Sequence, residues 1–430
     1  MRISTNTVYA AGTSGLLRQS SDLFRLQQQL STGRRVLAPS DDPVASSRAL
    51  EIEQSQAINT QYGVNRRDAS SALGFAEAQL TTAGDILAAA RERIVQAGNA
   101  PLSDADRKAV ANDLRAMYSE MMGIANSRDA FGDYLFSGYK STTQPFSGSV
   151  EAGASYFGDD GQRMSRIGSN REIPISDPGS DIFMRVPEGN GRFTLTPNAA
   201  NTGTAVIDAG RVDDVSTWLD PANSGNFEVV FAYDSATKTT TYDIIDNGSG
   251  NSLLTGAAPG AAPYPRTWVE GEPIKLVSQG AEPAFDFGVS FEVTGAPATG
   301  DRIALQASQS QSVFDTLGDI ILALEQTGTD TPADSAKLQN AVVSALTNID
   351  QAQETLLTAR SRIGSRGAEI DALNSLGEQV DIHYESTLSD LRDLNYTQAI
   401  SQLTQQLSYF EAAQQSFMKV SGLSLFNYLS

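Results

Sequence analysis

The chain has 430 residues, a formal net charge of −20 and a pI of about 4.4, a balance that argues against a nucleic-acid binder or a partner for anionic membranes. It has no cysteine and a single histidine, His383, which excludes disulfides, zinc–thiolate sites and cysteine nucleophiles and removes most histidine-based mechanisms. The length suits roughly two to four domains.

Met1–Ala10 lacks a charged segment followed by an apolar one, which argues against a cleaved secretory signal. No run of eighteen apolar residues is present, so no membrane span is predicted. Leu16, Leu23, Leu26 and Leu30 give a helical stripe that Gly33 ends. In Pro39-Ser40-Asp41-Asp42-Pro43, Asp42 reads as an N-cap and Pro43 as the first residue of a helix reaching about Ala97. Its second half is heptad-regular, with Leu73, Leu80, Leu87 and Ile94 on one track and Ala76, Ala83, Ala90 and Ala97 on the other. Gly98-Asn99-Ala100-Pro101 breaks it. Ser103 with Asp106 then forms a capping box for a helix over 104–131.

Tyr134–Val186 is rich in Gly, Ser and Asp and predicts a β-hairpin region, with Asp159-Asp160-Gly161 as a hairpin turn. From 187 to 310 the chain reads as strands, among them Phe193–Leu195, Phe227–Phe231, Tyr242–Ile245, Ile274–Val277, Val289–Val293 and Ile303–Leu305. Asp246-Asn247-Gly248 is a turn, and Trp218 and Trp268 help to fill this small core. Val313–Glu325 returns to helix.

Thr331 and Asp334 cap a long C-terminal helix. Its large track is Val342, Ile349, Leu356, Ile363, Ile370, Gly377, Tyr384 and Leu391. Three residues later come Ala345, Ala352, Ala359, Arg366, Leu373, Val380, Thr387 and Leu394. Two large/alanine patterns so far apart in sequence are natural packing partners. The register slips at Arg392–Gln398, where a bend or break is expected. A second stripe follows in Ala399, Ile400, Leu403, Leu407, Phe410 and Phe417. The opposite face, Gln398, Ser401, Gln405, Ser408, Ala412 and Ser416, is polar without charge.

The predicted fold is multi-domain α+β, with nested coiled-coil-like helical domains built from both termini around an inserted β-rich domain. Residues 1–41 with 392–430 form a terminal assembly domain. Residues 42–186 with 312–391 form a helical rod carrying the hairpin region, and 187–311 form the insertion. The terminal stripes alone do not offset the conformational entropy of ordering them, which predicts ends that order only between subunits; a helix pair within one chain is the alternative. Leu16, Leu23, Leu26, Leu30, Ile400, Leu403, Leu407, Phe410, Phe417 and Leu423 form the expected assembly interface.

No phosphate-binding loop, dinucleotide fingerprint, zinc-protease helix or nucleophile elbow is present, so no catalytic, cofactor or metal site is expected. His383 reads as a structural residue. Asp159-Asp160 and Asp213-Asp214 lack calcium-loop spacing and read as turn carboxylates. Arg360, Arg362 and Arg366 fit either intersubunit ion pairs or a solvated helix face.

Several stretches carry a family likeness. Met1-Arg-Ile-Ser-Thr5, Leu30-Ser-Thr-Gly-Arg-Arg-Val36 and Pro39-Ser-Asp-Asp-Pro43 resemble the N-terminal region of bacterial flagellin-like axial proteins. Asp393-Leu-Asn-Tyr396, the Gln-rich stripe and Leu423-Ser-Leu-Phe-Asn-Tyr-Leu429 resemble their C-terminal region. Ala125-Asn126, Gly132-Asp-Tyr-Leu-Phe-Ser-Gly138 and Pro145-Phe146 are similar to the hook-associated subgroup rather than to ordinary flagellin. The resemblance implies nested domains and export through the flagellar type III apparatus without a cleaved signal. It also implies an export chaperone, and a homo-oligomeric ring stacked between hook-associated protein 1 and flagellin outside the cell. In that setting the Gln398, Ser401, Gln405, Ser408 and Ser416 face is a candidate channel lining, against a merely solvated face. Two other readings are a bulk filament subunit and a surface binding module on a flagellin-like scaffold.

Overall fold

The computed structural model of the chain describes residues 5–99, 103–328 and 330–429. The helix break at 100–102 and the first four residues of the N-terminal motif lie outside that description. Seven α-helices are present among the described residues: α1 (Thr5–Thr32), α2 (Pro43–Asn99), α3 (Asp104–Ala125), the single turn α4 (Val215–Trp218), α5 (Val313–Gln326), α6 (Pro332–Arg392) and α7 (Tyr396–Leu429). The chain divides into two compact units. One comprises the chain up to Arg66, Ile167–Ser169 and the chain from Asp371; the other comprises Arg67–Arg166 and Asn170–Ile370. These edges lie inside α2 and α6, after 41 on the first and before 392 on the second.

The helix boundaries follow from the caps. The Asp42 carboxylate accepts from the Ala45 amide at 3.0 Å, directly ahead of Pro43. Ser103 and Asp106 form the reciprocal capping box that starts α3, and the Thr331 hydroxyl accepts from the Asp334 amide at 3.1 Å at the start of α6. Helix α3 ends at Ala125, six residues before the expected limit, where Asn126 leaves helical geometry.

In the second unit the two heptad patterns pack antiparallel. Leu80, Leu87, Ile94, Ala83 and Ala90 of α2 are fully buried, as are Ile349 and Ala359 of α6, with Val342, Leu356 and Ile363 nearly so. The polarity is fixed by Arg91 donating to Asp350 at 2.8 Å and Gln339 to the Gly98 carbonyl at 3.3 Å. Alanine on the second track lets the two backbones approach. Arg366 is not free for a neighbouring subunit: it grips Asp177 of its own chain through two hydrogen bonds of 2.8 and 3.0 Å, with that carboxylate buried. Arg360 lies 4.0 Å from Glu77, and Arg362 is exposed.

Helices α3 and α5 form a second pair over an aromatic cluster of Tyr118, Phe136, Phe146, Phe183 and Phe314. Asn126 and Phe146 exchange two hydrogen bonds, side chain to backbone, at 2.9 and 3.0 Å. The subgroup motif residues 126 and 146 therefore close one loop, and Tyr134–Gly138 is buried beside it. Asp159-Asp160-Gly161 is not a hairpin turn. The hairpin strands are Phe146–Ser149 with Gly153–Tyr156 and Met164–Gly168 with Arg171–Pro174. Asp159 instead uses its carboxylate to accept from the Tyr139 and Gly161 amides, both at 2.8 Å, which shapes a loop rather than a strand reversal. Its neighbour Asp160 pairs with Arg185, Asp213 accepts from Ser290, and Asp214 caps α4, so these turn carboxylates are engaged by the protein itself.

The β-rich segment is built on an antiparallel sheet in the order Asn251–Ser252, Thr239–Asp246, Asn226–Asp234, Arg302–Ala307 and Phe193–Pro197, with Arg266–Trp268 also on Thr239–Asp246. Asp246-Asn247-Gly248 turns between two of these strands, as its composition predicts. Ile274–Val277, Asp286–Phe291 and Arg211–Val212 form a second sheet. Phe227, Val229, Phe231, Ile244, Leu276 and Leu305 lie in the core with Trp218, while Trp268 packs at its edge.

In the first unit a polar layer replaces the apolar heptad. Arg66, 6% exposed, donates to Asn374 at 2.6 Å and to the Ile167 carbonyl at 3.1 Å. Its head occupies the space left by Gly377, where an added Cβ would lie 2.4 Å from a guanidinium nitrogen. The glycine that interrupts the large track is there to admit the arginine. Gly377→Leu should therefore destabilise the protein by about 1–3 kcal/mol, by overpacking and by stripping Arg66 of its partners. Denaturant unfolding of the two proteins measures this, and an unchanged midpoint would contradict the assignment.

Candidate functional site

The two chain ends meet at a connector in the first unit. Helix α6 stops at Arg392 and α7 starts at Tyr396, which is the expected break. The Leu394 amide donates to the Gly33 carbonyl at 2.9 Å and the Arg35 amide to the Arg392 carbonyl at 2.7 Å. The Arg35 guanidinium reaches the Leu391 carbonyl at 2.8 Å and Asp42 at 3.1 Å. Gly33 has a φ of +71°, and a Cβ there would lie 2.9 Å from the Tyr396 hydroxyl, so glycine is required on both counts. Asp41 accepts from the Leu37 and Ala38 amides, both at 3.0 Å, with Arg25 at 3.2 Å. The Ala38 and Leu37 amides hold its carboxyl below the usual carboxylate range. Arg392 pairs with Glu53 and likewise holds that carboxyl low. The N- and C-terminal family motifs are thus one hydrogen-bonded joint.

From this joint α1 and α7 run together as a pair within one chain. The expectation that both ends order only between subunits does not hold here, because a regular seam and the connector bonds join them. On α1 the seam holds Leu23, 7% exposed, with Leu16, Leu26 and Leu30 half-buried. On α7 it holds Ala399, Leu403, Gln406, Phe410, Ala413 and Phe417, at alternating steps of four and three. The Phe417 ring lies against Gly12 and 5.1 Å from the Tyr9 ring.

The ten residues of the expected assembly interface therefore separate. Leu16, Leu23, Leu26, Leu30, Leu403, Phe410 and Phe417 serve the intramolecular seam. Ile400 and Leu407 lie off it, 54% and 40% exposed, and Leu423 is outside the described side chains. On α1, Leu17 and Phe24 are 72% and 74% exposed and were not expected, because the leucine stripe drew attention to the other face. Their seven-residue spacing was the available signal. The polar residues Gln398, Ser401, Gln405, Ser408 and Ser416 are all exposed and lie opposite the seam. Ser401 and Ser408 bond back to the carbonyls four residues earlier, and Gln405 to the Tyr409 hydroxyl. His383 is exposed on α6.

The pair is almost uncharged. Arg18, Asp22 and Arg25 on α1 and Glu411 and Lys419 on α7 are its only ionisable acidic or basic residues. Among the described residues it offers no group of metal-ligating side chains; what it offers is unpartnered apolar surface and a neutral polar face.

Residues 3–141 match the family model of the bacterial flagellin N-terminal helical region. Flagellar hook-associated protein 3 of Salmonella typhimurium is 38% identical over 44% of this chain and 61% of its own length. The Escherichia coli protein of that name is 24% identical over 99% of both chains. The crystal structure of Xanthomonas campestris FlgL is 33% identical, covers 79% of this chain and 99% of its own, and superposes with a TM-score of 0.66. The chain belongs to the flagellar hook-associated protein 3 family. The fold class read from the sequence, helices from both termini around a β-rich middle, is that of the family.

Three outcomes follow from the geometry. Leu17→Ser with Phe24→Ser should leave monomer stability within about 0.5 kcal/mol, because both side chains already face solvent, and should lower any self-association that uses this face. Leu23→Ala should lower stability by about 2–5 kcal/mol. Thermal melts and sedimentation velocity separate the two effects. Asp41→Asn should lower the melting temperature at neutral pH. A carboxyl held low in the folded state contributes stability above its unfolded pKa of about 4, and this is lost as pH falls through the folded value. The melting curves of the wild type and the Asp41→Asn variant should converge at acid pH.

Proposed function

We propose that this chain is the adaptor that joins hook to filament in a bacterial flagellum, a structural part without catalytic activity. Copies form a ring in which paired α1 and α7 make the inner layer. The exposed Leu17, Phe24, Ile400 and Leu407 flanks then pack against neighbouring pairs. Each such side chain contributes roughly 1.5–3 kcal/mol when fully buried, so one copy brings several kcal/mol to its contacts. Hook-associated protein 1 is the partner on the hook side and flagellin the partner on the filament side. Delivery uses the flagellar type III apparatus and an export chaperone, and the working location is extracellular.

Three layers carry this out: 1–41 with 392–430 as the assembly layer, 42–186 with 312–391 as the rod, and 187–311 as an outward-facing insertion. The observation that carries the reading is the full-length relationship to hook-associated protein 3, together with a nearly uncharged terminal pair bearing unpartnered apolar flanks. The Gln398, Ser401, Gln405, Ser408 and Ser416 face lines the export channel, where neutral polar groups neither hold nor repel unfolded cargo of either charge.

Deleting the gene should leave bare hooks on the cell surface and flagellin shed into the medium, seen by electron microscopy and immunoblotting. Disappearance of flagellin itself would make the chain a bulk filament subunit, and intact filaments would refute the adaptor role. Gln405→Arg with Ser408→Arg should slow flagellin export while junctions still form; unchanged export would remove the channel-lining role.

A further inference from the structure

The most exposed large apolar side chain among the described residues is neither on α1 nor on α7. Phe131, 94% exposed, sits on a short loop after α3, in the second unit. The loop is tightly held. One Asp129 carboxylate oxygen accepts from the Phe131 amide at 2.9 Å and from the Asp133 amide at 3.0 Å. The Asp129 amide donates to the Asp133 carbonyl at 2.8 Å, and Gly132 takes the positive φ of +89° that the turn needs. Beside it Arg128 lies over the Tyr134 ring at 4.3 Å. Asp133 approaches Arg163 at 3.5 Å, next to Met164, and the Tyr139 ring covers Gly161 in the same stretch. Tyr139 is 66% exposed, and the adjacent Lys140 reaches the Phe157 and Gly158 carbonyls only at 3.3 Å.

The acidic residues here are engaged by their own chain, although Asp160 is exposed. Asp129 and Asp159 are spent on backbone amides, and Asp133 and Asp160 face arginines. Among its exposed groups least engaged by the chain are the aromatic rings of Phe131 and Tyr139 and the Lys140 ammonium, in a chain that is otherwise strongly acidic. The complementary surface is on the same chain, in the first unit. Ile382 of α6 is 67% exposed, with Glu378 and Glu385 exposed at i−4 and i+3 and Asp371 further along the same face.

We propose that the Phe131–Tyr139–Lys140 patch of one copy docks on the Ile382 face of α6 of a second copy, with Lys140 meeting Glu378 and Glu385. The two surfaces differ, so the contact is head-to-tail and repeats from copy to copy rather than closing a symmetric dimer. Interface energy concentrates in a few buried anchors, aromatic residues prominent among them, which a rigidly held Phe131 can supply. The inference rests on the self-assembly reading above.

The test uses the absence of native cysteine in the full-length chain. Ala130→Cys with Gln379→Cys, at exposed positions flanking the two surfaces, should give a ladder of disulfide-linked multimers on mild oxidation, in concentrated purified protein and in flagella. Neither single variant should give more than a dimer. Adding Phe131→Ala should cut the ladder about tenfold. Lys140→Glu should also weaken it, and Glu378→Lys with Glu385→Lys should restore it. A dimer from Ala130→Cys alone at the same yield, no ladder from the double variant, or no rescue by the charge swap would overturn the inference. Filaments retained without a ladder would refute this contact and leave the adaptor role standing, whereas the deletion experiment tests that role by itself. Melting curves of each variant exclude loss of folding as the cause.

Discussion

The structure depends on the antiparallel match of two heptad helices that start nearly three hundred residues apart in the chain. Large residues on one track and alanine on the other allow lengthwise burial with close backbones. Once α2 and α6 are matched, Pro43 and Arg392 come to the same end of the first unit, as the Arg392–Glu53 pair and the Arg35–Arg392 backbone bond show. The connectors beyond them, 33–42 and 393–395, are short and hydrogen-bonded to each other, so α1 and α7 have little freedom left to lose on pairing. The terminal pair is thus set by the connector bonds of the first unit, and chain ends that carry modest apolar stripes become ordered without a large core of their own.

That pair divides its apolar residues between two tasks. The seam takes Leu23, Leu403, Phe410 and Phe417 and is satisfied within the chain; Leu17, Phe24, Ile400 and Leu407 are left facing outward. Charge is divided in the same sense. Three basic and two acidic residues lie on α1 and α7, whereas residues 187–311 hold fifteen acidic against six basic. In the proposed ring, like charge would keep copies soluble where they need not touch, and its near absence on the terminal pair would let copies approach there without a repulsive cost.

Periodicity and caps were legible in the sequence because they are local: Asp42 before Pro43, Ser103 with Asp106, and the heptad tracks each need only a few neighbouring residues. The family motifs were legible as strings, but their cause was not. Gly33 is fixed by Tyr396, and Asn126 by Phe146, through contacts no sequence spacing reveals. The stripe on α7 was assigned by apolar character, which included Ile400 and Leu407 and left out Gln406 and Ala413; the seam selects by angular position and close approach instead. Arg366 looked free because its partner, Asp177, lies far upstream. Asp159-Asp160-Gly161 has hairpin-turn composition, yet the carboxylate of Asp159 bonds the Gly161 amide and the Tyr139 amide of an upstream loop, and no strand reversal follows.

The Asp129 loop shows where an apolar residue in water has a physical reason. Phe131 gains nothing from its own chain, since its side chain stays almost wholly hydrated. A loop selected only for connection would place a polar residue there and leave the backbone loose. Here one carboxylate and a glycine hold the backbone instead, so the entropy of fixing the anchor is lost on folding rather than on association. An anchor prepared in that way suits a contact made many times in identical form. Dissimilar surfaces on one chain generate such repetition, closing as a ring when the rotation between copies permits and extending as a helix when it does not.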